Sequence, residues 1–189
     1  MIKINRPLIL ASGSPRRKEI LDTMGLSYIV DVSDADESYH AGPEAMVLEL
    51  SKRKAEAVAD KHENAIVLAA DTLVFCNDVL GKPRNAQHAM NMLRALSDNW
   101  HCVYTGVTMI NTHTGKVLSK ADMTRVHFVK LSDGEIEAYV ASGEPLDKAG
   151  AYGIQGMGGM FIDKIEGSYS NVVGLPMALV RSMLMDIEC

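Results

Sequence analysis

The stretch from Pro7 to Leu21, "PLILASGSPRRKEIL", decides how the chain is read. Leu8 to Ala11 is an apolar run short enough for one buried strand. Ser14 is a preferred N-cap residue, and Pro15 falls at the first helical position, where its missing N–H costs nothing. Ile20, Leu21 and Met24 then share one helical face, and Gly25 is placed to end the helix. This is strand, tight turn, helix. The turn is followed at once by Arg16, Arg17 and Lys18. Cations at a helix start oppose the helix dipole, whereas free backbone N–H groups at such a turn favour an anion. The stretch is therefore either a solvated helix start or a phosphate grip.

The rest of the chain extends the same alternation. Tyr28–Val32 reads as a second strand, and "SDADESYHAG" from Ser33 as an acidic loop. Pro43 to about Asp60 reads as a helix with Met46, Val47, Leu50 and Ala57 inward. Ile66–Ala70 is a fully apolar strand with Asp71 at its end. Asn85 caps a helix carrying Ala89, Leu93 and Leu96. Two β-branched stretches, His101–Asn111 and Lys116–Lys130, flank the hairpin turn "THTGK". Ser132 and Glu135 form a capping box. "KAGAYGIQGMGG" is too glycine-rich for a regular element, "MFIDKI" reads as a strand, "EGSYSNVVGLP" as a loop and Pro176–Ile187 as a closing helix. Strand–helix units mixed with a long hairpin predict an α/β fold on a mixed sheet.

Composition bounds the function. The chain has 189 residues, 47% of them hydrophobic, enough for a substantial core. Residues 1–189 are read as a single domain. A net charge of −5 argues against broad nucleic-acid binding, which calls for a basic surplus, but leaves room for a local basic pocket. No apolar run approaches the roughly 18 residues of a membrane span, and no signal peptide is evident. Cys76, Cys102 and Cys189 are odd in number and widely spaced, which fits a reducing cytoplasm better than a disulfide framework. The methionines read as packing. The P-loop, HExxH and GxSxG patterns are absent, and the six histidines show no ligand spacing.

Five stretches can carry chemistry. The Ser12–Lys18 turn can bind phosphate. Asp71 stands where open α/β sheets place ligands, as a base or a metal ligand. Asp34, Asp36 and Glu37 offer oxygen ligands to a hard cation such as Mg²⁺. Lys54 and Lys82 can meet phosphate as point charges, and Lys82 is restricted to extended geometry by Pro83. Gln155, in a glycine-rich stretch, carries both a donor and an acceptor and can read a base edge.

Together "LASGSPRRKEIL", "DES", "KRKAEAVA", "AADT", "GKP", "YTGV", "DKAGAYGIQG" and "GSYSNVVGLP" resemble, in order, the Maf-like nucleoside triphosphate pyrophosphatases, from about Leu8 to Pro176. The resemblance implies cleavage between the α and β phosphates, giving a nucleoside monophosphate and pyrophosphate, with a divalent cation, Mg²⁺ or Mn²⁺. It implies a mixed twisted α/β sheet with flanking helices and two lobes around a cleft, similar to inosine triphosphate pyrophosphatases, and homodimers are common. Asp71 matches the catalytic proton acceptor, and Ser12, Arg16 and Arg17 the phosphate-binding turn. Glu37 matches a metal-associated acid, and Asp71 is read as its partner at the metal. Lys54, Lys82 and Gln155 match other active-site positions, read here as phosphate contacts and base recognition. "ADT" with "AYGIQG" resembles the branch preferring dTTP and UTP. The chain departs from the pattern at Arg53, where the family more often has an acid before the lysine. Two alternatives stay open: the same reaction on a modified nucleotide such as 7-methylated GTP, and a non-catalytic nucleotide sensor linked to cell division.

Overall fold

The computed structural model describes residues 4–188; Cys189 lies outside the described residues. Its elements are β1 (Leu8–Leu10), α1 (Pro15–Thr23), β2 (Ile29–Val30), α2 (Pro43–Ala59), β3 (Ile66–Cys76), β4 (Asp78–Leu80), α3 (Ala86–Leu96), β5 (Trp100–Asn111), β6 (Lys116–Phe128), α4 (Asp133–Ala141), β7 (Ile162–Glu166), α5 (Tyr169–Val173) and α6 (Met177–Ile187). Short 3₁₀ turns occupy Glu144–Asp147, Ala149–Ala151 and Met157–Phe161. The sheet has seven strands in the order β2-β1-β3-β5-β6-β7, with β4 paired to β3. β1 is parallel to both β2 and β3, whereas β3–β4 and β6–β7 are antiparallel. This is the expected α/β fold on an open mixed sheet.

The chain packs as two compact units. The first comprises the residues up to Asp71, Thr105–Asp122 and Gly174 onward; the second comprises Thr72–Tyr104 and Met123–Val173.

In the first unit, β1 is buried along its length, as its apolar run requires. Ile9, Ala11, Val67 and Ala69 pack against Ala55 and Val58 of α2. Burying each such aliphatic side chain contributes about 1.5–3 kcal/mol for the larger ones. α1 runs to Thr23 with Met24 as its C-cap, and Gly25 follows with φ +67°. Gly25 N–H donates to Asp22 and Leu26 N–H to Leu21, the paired closure that a left-handed glycine permits.

The inward stripe of α2 is rotated from the sequence reading. Val47, Leu50, Ser51, Ala55 and Val58 are buried, while Met46 and Ala57 are only partly covered. The cause is Gly106 on β5. A Cβ there would run into the Val47 carbonyl, so the helix backbone lies directly on the strand and the faces follow from that contact. Ser51 Oγ and Thr108 Oγ1 hydrogen-bond at 2.9 Å beside it.

The second unit is built on Phe128, which is edge-on to His101, Tyr152 and Phe161. Leu93, Leu96, Ile136 and Val103 complete that core. Several sequence-based boundaries shift, and Met160 and Phe161 of "MFIDKI" lie in a 3₁₀ turn ahead of β7. Tyr28–Val32 yields only a two-residue strand, because Ile29, Val30 and Val32 stay exposed at the sheet edge. "YSNVV" winds into α5 instead of looping. There Asn171 Nδ2 donates to Val103 O and Thr124 Oγ1, and Ser168 N–H donates to Thr124 Oγ1.

Candidate active site

Asp71 does not end its strand. β3 continues through Thr72 to Cys76, because "TLVFC" is itself strand-forming and Val74–Cys76 pair with β4. Asp71 and Thr72 are the partly exposed positions that follow five buried residues. A carboxylate is thus presented from the middle of a strand, on backbone that the sheet holds rigid.

Lys54 reaches that carboxylate from α2. Its Nζ lies 2.6 Å from Asp71 Oδ1 and 2.8 Å from Glu37 Oε1. The lysine and Asp71 side chains are each 14% exposed, while Glu37 is 66% exposed. One ammonium therefore gathers two carboxylates that are far apart in sequence. Lys54 follows Ser51 by one helical turn, so the Gly106 contact and the Ser51 hydroxyl that seat α2 also set where the ammonium lands.

The loop carrying Glu37 is tied to the same helix by Arg53. Its guanidinium donates to Glu49 Oε1 at 2.8 Å and to Ser38 O at 3.2 Å, and lies over the Tyr39 ring at 5.2 Å. The departure from the family pattern at Arg53 is thus a loop anchor. Asp36 turns its carboxylate onto Ser38 N–H at 2.9 Å, which holds its pKa below the ordinary value. That geometry spends Asp36 on shaping the loop.

The Ser12–Lys18 turn separates its two arginines. Arg17 donates from Nε to Gly174 O and from Nη1 to Ser12 Oγ, both at 3.0 Å. Burial lowers its pKa, partly offset by the charge of Asp71. Ser12 is 8% exposed, and its Oγ also accepts from Ser14 N–H at 3.3 Å. Ser14 stands at the N-cap as expected, but its side chain makes no capping bond. The turn is closed by Ser12 and Arg17 instead. Arg16 is one residue away and points about 100° round the helix.

Lys82 and Gln155 belong to the second unit and are both exposed. Gly81 O, beside Lys82, accepts from Gly150 N–H at 3.1 Å. Gly150 has φ +69°, and a Cβ there would meet Val74. The lysine turn and the glycine-rich stretch are therefore locked together. Tyr139, Glu144 and His101 surround that stretch and were not singled out by sequence. Their only signal was aromatic and acidic character close to glycines.

Glu37 and Asp71 suit a hard cation as far as donor chemistry goes. Both present carboxylate oxygens to one positive charge. Among the described residues no group of three or more His, Cys, Asp or Glu is arranged to hold a metal. Two carboxylates are the donors that a Mg²⁺ ion completing its shell with water and phosphate oxygens would use. Among the described residues, no helix is long and apolar enough to cross a membrane.

The family model described as "Maf-like protein" matches residues 7–187. The chain belongs to the Maf-like family. It is 48% identical over 176 residues to the dTTP/UTP pyrophosphatase of Halalkalibacterium halodurans, covering 92% of each chain. It is 46% identical over 180 residues to that of Alkaliphilus metalliredigens, covering 94% of each. Against that of Myxococcus xanthus it is 49% identical over 180 residues, covering 94% of this chain and 90% of the relative. In this Maf-like chain the Lys54–Asp71–Glu37 cluster and the Ser12–Arg17 turn both fall inside the matched span.

Proposed function

We propose that the protein is a nucleoside triphosphate pyrophosphatase that hydrolyses dTTP and UTP to the monophosphate and pyrophosphate. The observation that carries this reading is that relatives bearing that activity as their name align with 90% or more of both chains. The convergence of Lys54, Asp71 and Glu37 supports a hydrolytic role.

Asp71 accepts the proton of the water that attacks the α-phosphorus. Lys54 has three N–H donors, two of them directed at Asp71 and Glu37, so its third is available to a phosphate oxygen. Arg16 and Lys82 contact the phosphates as cations, and Arg17 with Ser12 shapes the turn whose backbone N–H groups face them. Gln155 pairs with the pyrimidine edge. A site built to hydrogen-bond one base edge rejects another by leaving its own polar groups unpaired. Glu37 and Asp71 would hold a divalent cation, Mg²⁺ or Mn²⁺, which neutralises phosphate charge and acidifies bound water. The free Cys76 and Cys102 thiols support a cytoplasmic location, and the family resemblance a homodimer.

The test is pyrophosphate release from a panel of dTTP, UTP, dCTP, dGTP and 7-methylated GTP, ranked by kcat/KM with Mg²⁺ and Mn²⁺. dTTP and UTP rank first on this reading. A purine or modified nucleotide at the top overturns the pyrimidine assignment, and no release from any of them overturns the enzyme. Asp71→Asn lowers kcat by about 10²–10⁴-fold, the usual share of a general base.

A further inference from the structure

Gln155 can discriminate a base only if its amide is placed before the base arrives. A glycine-rich backbone is poorly suited to that, because it loses more conformational freedom on ordering than any other. The stretch around Gln155 nevertheless has fixed partners. Gly153 N–H donates to Tyr139 Oη at 3.1 Å. Tyr139 O–H donates in turn to Glu144 Oε1 at 2.8 Å. Beyond Gln155, Met157 N–H donates to Glu144 Oε2 at 3.0 Å and Gly158 N–H to Glu144 Oε1 at 3.2 Å. The backbone is thus tied two residues before Gln155 and two residues after it, to one phenol and one carboxylate.

The fit leaves no slack. A Cβ on Gly156 would collide with the Glu144 carboxylate, and one on Gly158 would lie 2.6 Å from Tyr139 Oη. Tyr139 is 4% exposed, and its ring packs edge-on to Phe161 with centroids 5.1 Å apart. Lys148 holds the turn that bears Glu144, donating to Glu144 O at 2.6 Å and to Asp147 Oδ1 at 2.7 Å. Burial raises the Tyr139 phenol pKa, so it stays a donor. Burial would also raise Glu144, but the Met157 N–H, Tyr139 O–H and Gly158 N–H outweigh it and keep the carboxylate ionised. Tyr139 and Glu144 make no use of the triphosphate-facing groups assigned above.

We infer that Tyr139 and Glu144 are positioning residues for base discrimination, acting through the loop that carries Gln155. The inference rests on the reading of Gln155 as the base contact.

The experiment compares wild type, Tyr139→Phe and Glu144→Gln. It measures kcat and KM for dTTP and dCTP, inhibition by dTMP, inhibition by pyrophosphate, and Tm. dTMP carries the base; pyrophosphate does not. Losing a hydrogen bond to the carboxylate raises the dTTP KM and the dTMP inhibition constant about tenfold in Glu144→Gln, with kcat changed about twofold or less. The pyrophosphate inhibition constant stays the same, and the preference for dTTP over dCTP falls. Tyr139→Phe keeps the ring contact with Phe161 and shows a smaller effect in the same direction. It decides the matter alone should Glu144→Gln fail to fold. Unchanged dTMP inhibition in a folded variant overturns the inference. So does parallel weakening toward dTMP and pyrophosphate, which marks general loosening. Should wild type prefer another nucleotide, the pyrimidine reading fails, while the same comparison on that nucleotide and its monophosphate still decides the role of the pair.

Discussion

The Lys54 ammonium lies 2.6 Å from the Asp71 carboxylate and gives a second bond to Glu37 at 2.8 Å. A helix cation therefore bridges the proposed base and its neighbour. A hydrogen bond involving charged groups is worth about 1.5–3 kcal/mol, and leaving a partner unsatisfied costs a similar amount.

Lys54→Met removes the ammonium that bonds both carboxylates. The expected result is a fall in kcat/KM for dTTP of about 10²-fold or more, as for other lost electrostatic contacts at a reacting centre. Tm falls by a few degrees, at about 2–4 °C per kcal/mol for a chain of this size. Lys54→Arg does not restore activity, because a flat, wide guanidinium cannot serve three divergent acceptors as an ammonium does. Pyrophosphate release and a thermal melt check both. Wild-type kcat/KM in Lys54→Met would remove the lysine from the site.

Arg16 and Arg17 separate by stability. Arg17 bonds to Gly174 O and to the buried Ser12 Oγ, so Arg17→Met removes a donor from both and lowers stability by about 1–3 kcal/mol together with activity. Arg16→Met lowers kcat/KM and lowers stability less than Arg17→Met does. Denaturant unfolding alongside kinetics distinguishes them. Equal destabilisation by the two substitutions contradicts this division of labour.

His101 makes the second unit acid-sensitive. It is 2% exposed, its Nε2 meets Tyr152 Oη at 2.8 Å, and its Nδ1 has no partner among the described residues. Burial, with a smaller contribution from His127, pushes its pKa down to about 4 from an ordinary 6.5. The unfolded chain thus binds the proton first. The stability contributed by the neutral ring is complete above pH 6.5 and is lost as pH falls toward 4, by up to about 3 kcal/mol. Unfolding free energy measured at pH 7 and pH 4.5 shows this loss in wild type and a smaller one in His101→Gln. Equal losses in both would place the acid sensitivity elsewhere.

Local rules carried much of the fold. Pro15 after Ser14 starts α1, Asn85 accepts from His88 N–H at 2.8 Å, and Ser132 with Glu135 closes a complete capping box. Each of these devices acts within four residues, so residue types alone reveal it. Asp71 was misplaced for the opposite reason. A charge after an apolar run looks like a strand end, whereas β3 runs on because β4 folds back and pairs with it. The rotated face of α2 was illegible too, since it depends on Gly106 lying beneath Val47, 59 positions later in the chain.

The candidate site divides along the same line. Its residue types were readable in order along the chain: a phosphate-suited turn, an acid, two lysines and a glutamine among glycines. Their partners were not. Lys54 meeting both Asp71 and Glu37, Arg17 closing on Gly174 and Tyr139 with Glu144 clasping the glycine-rich stretch are contacts between distant segments. Backbone conformation responds to near neighbours, and sequence records those directly. The placement of a charge depends on which helix is seated on which strand, and that seating is settled by packing across the whole sheet.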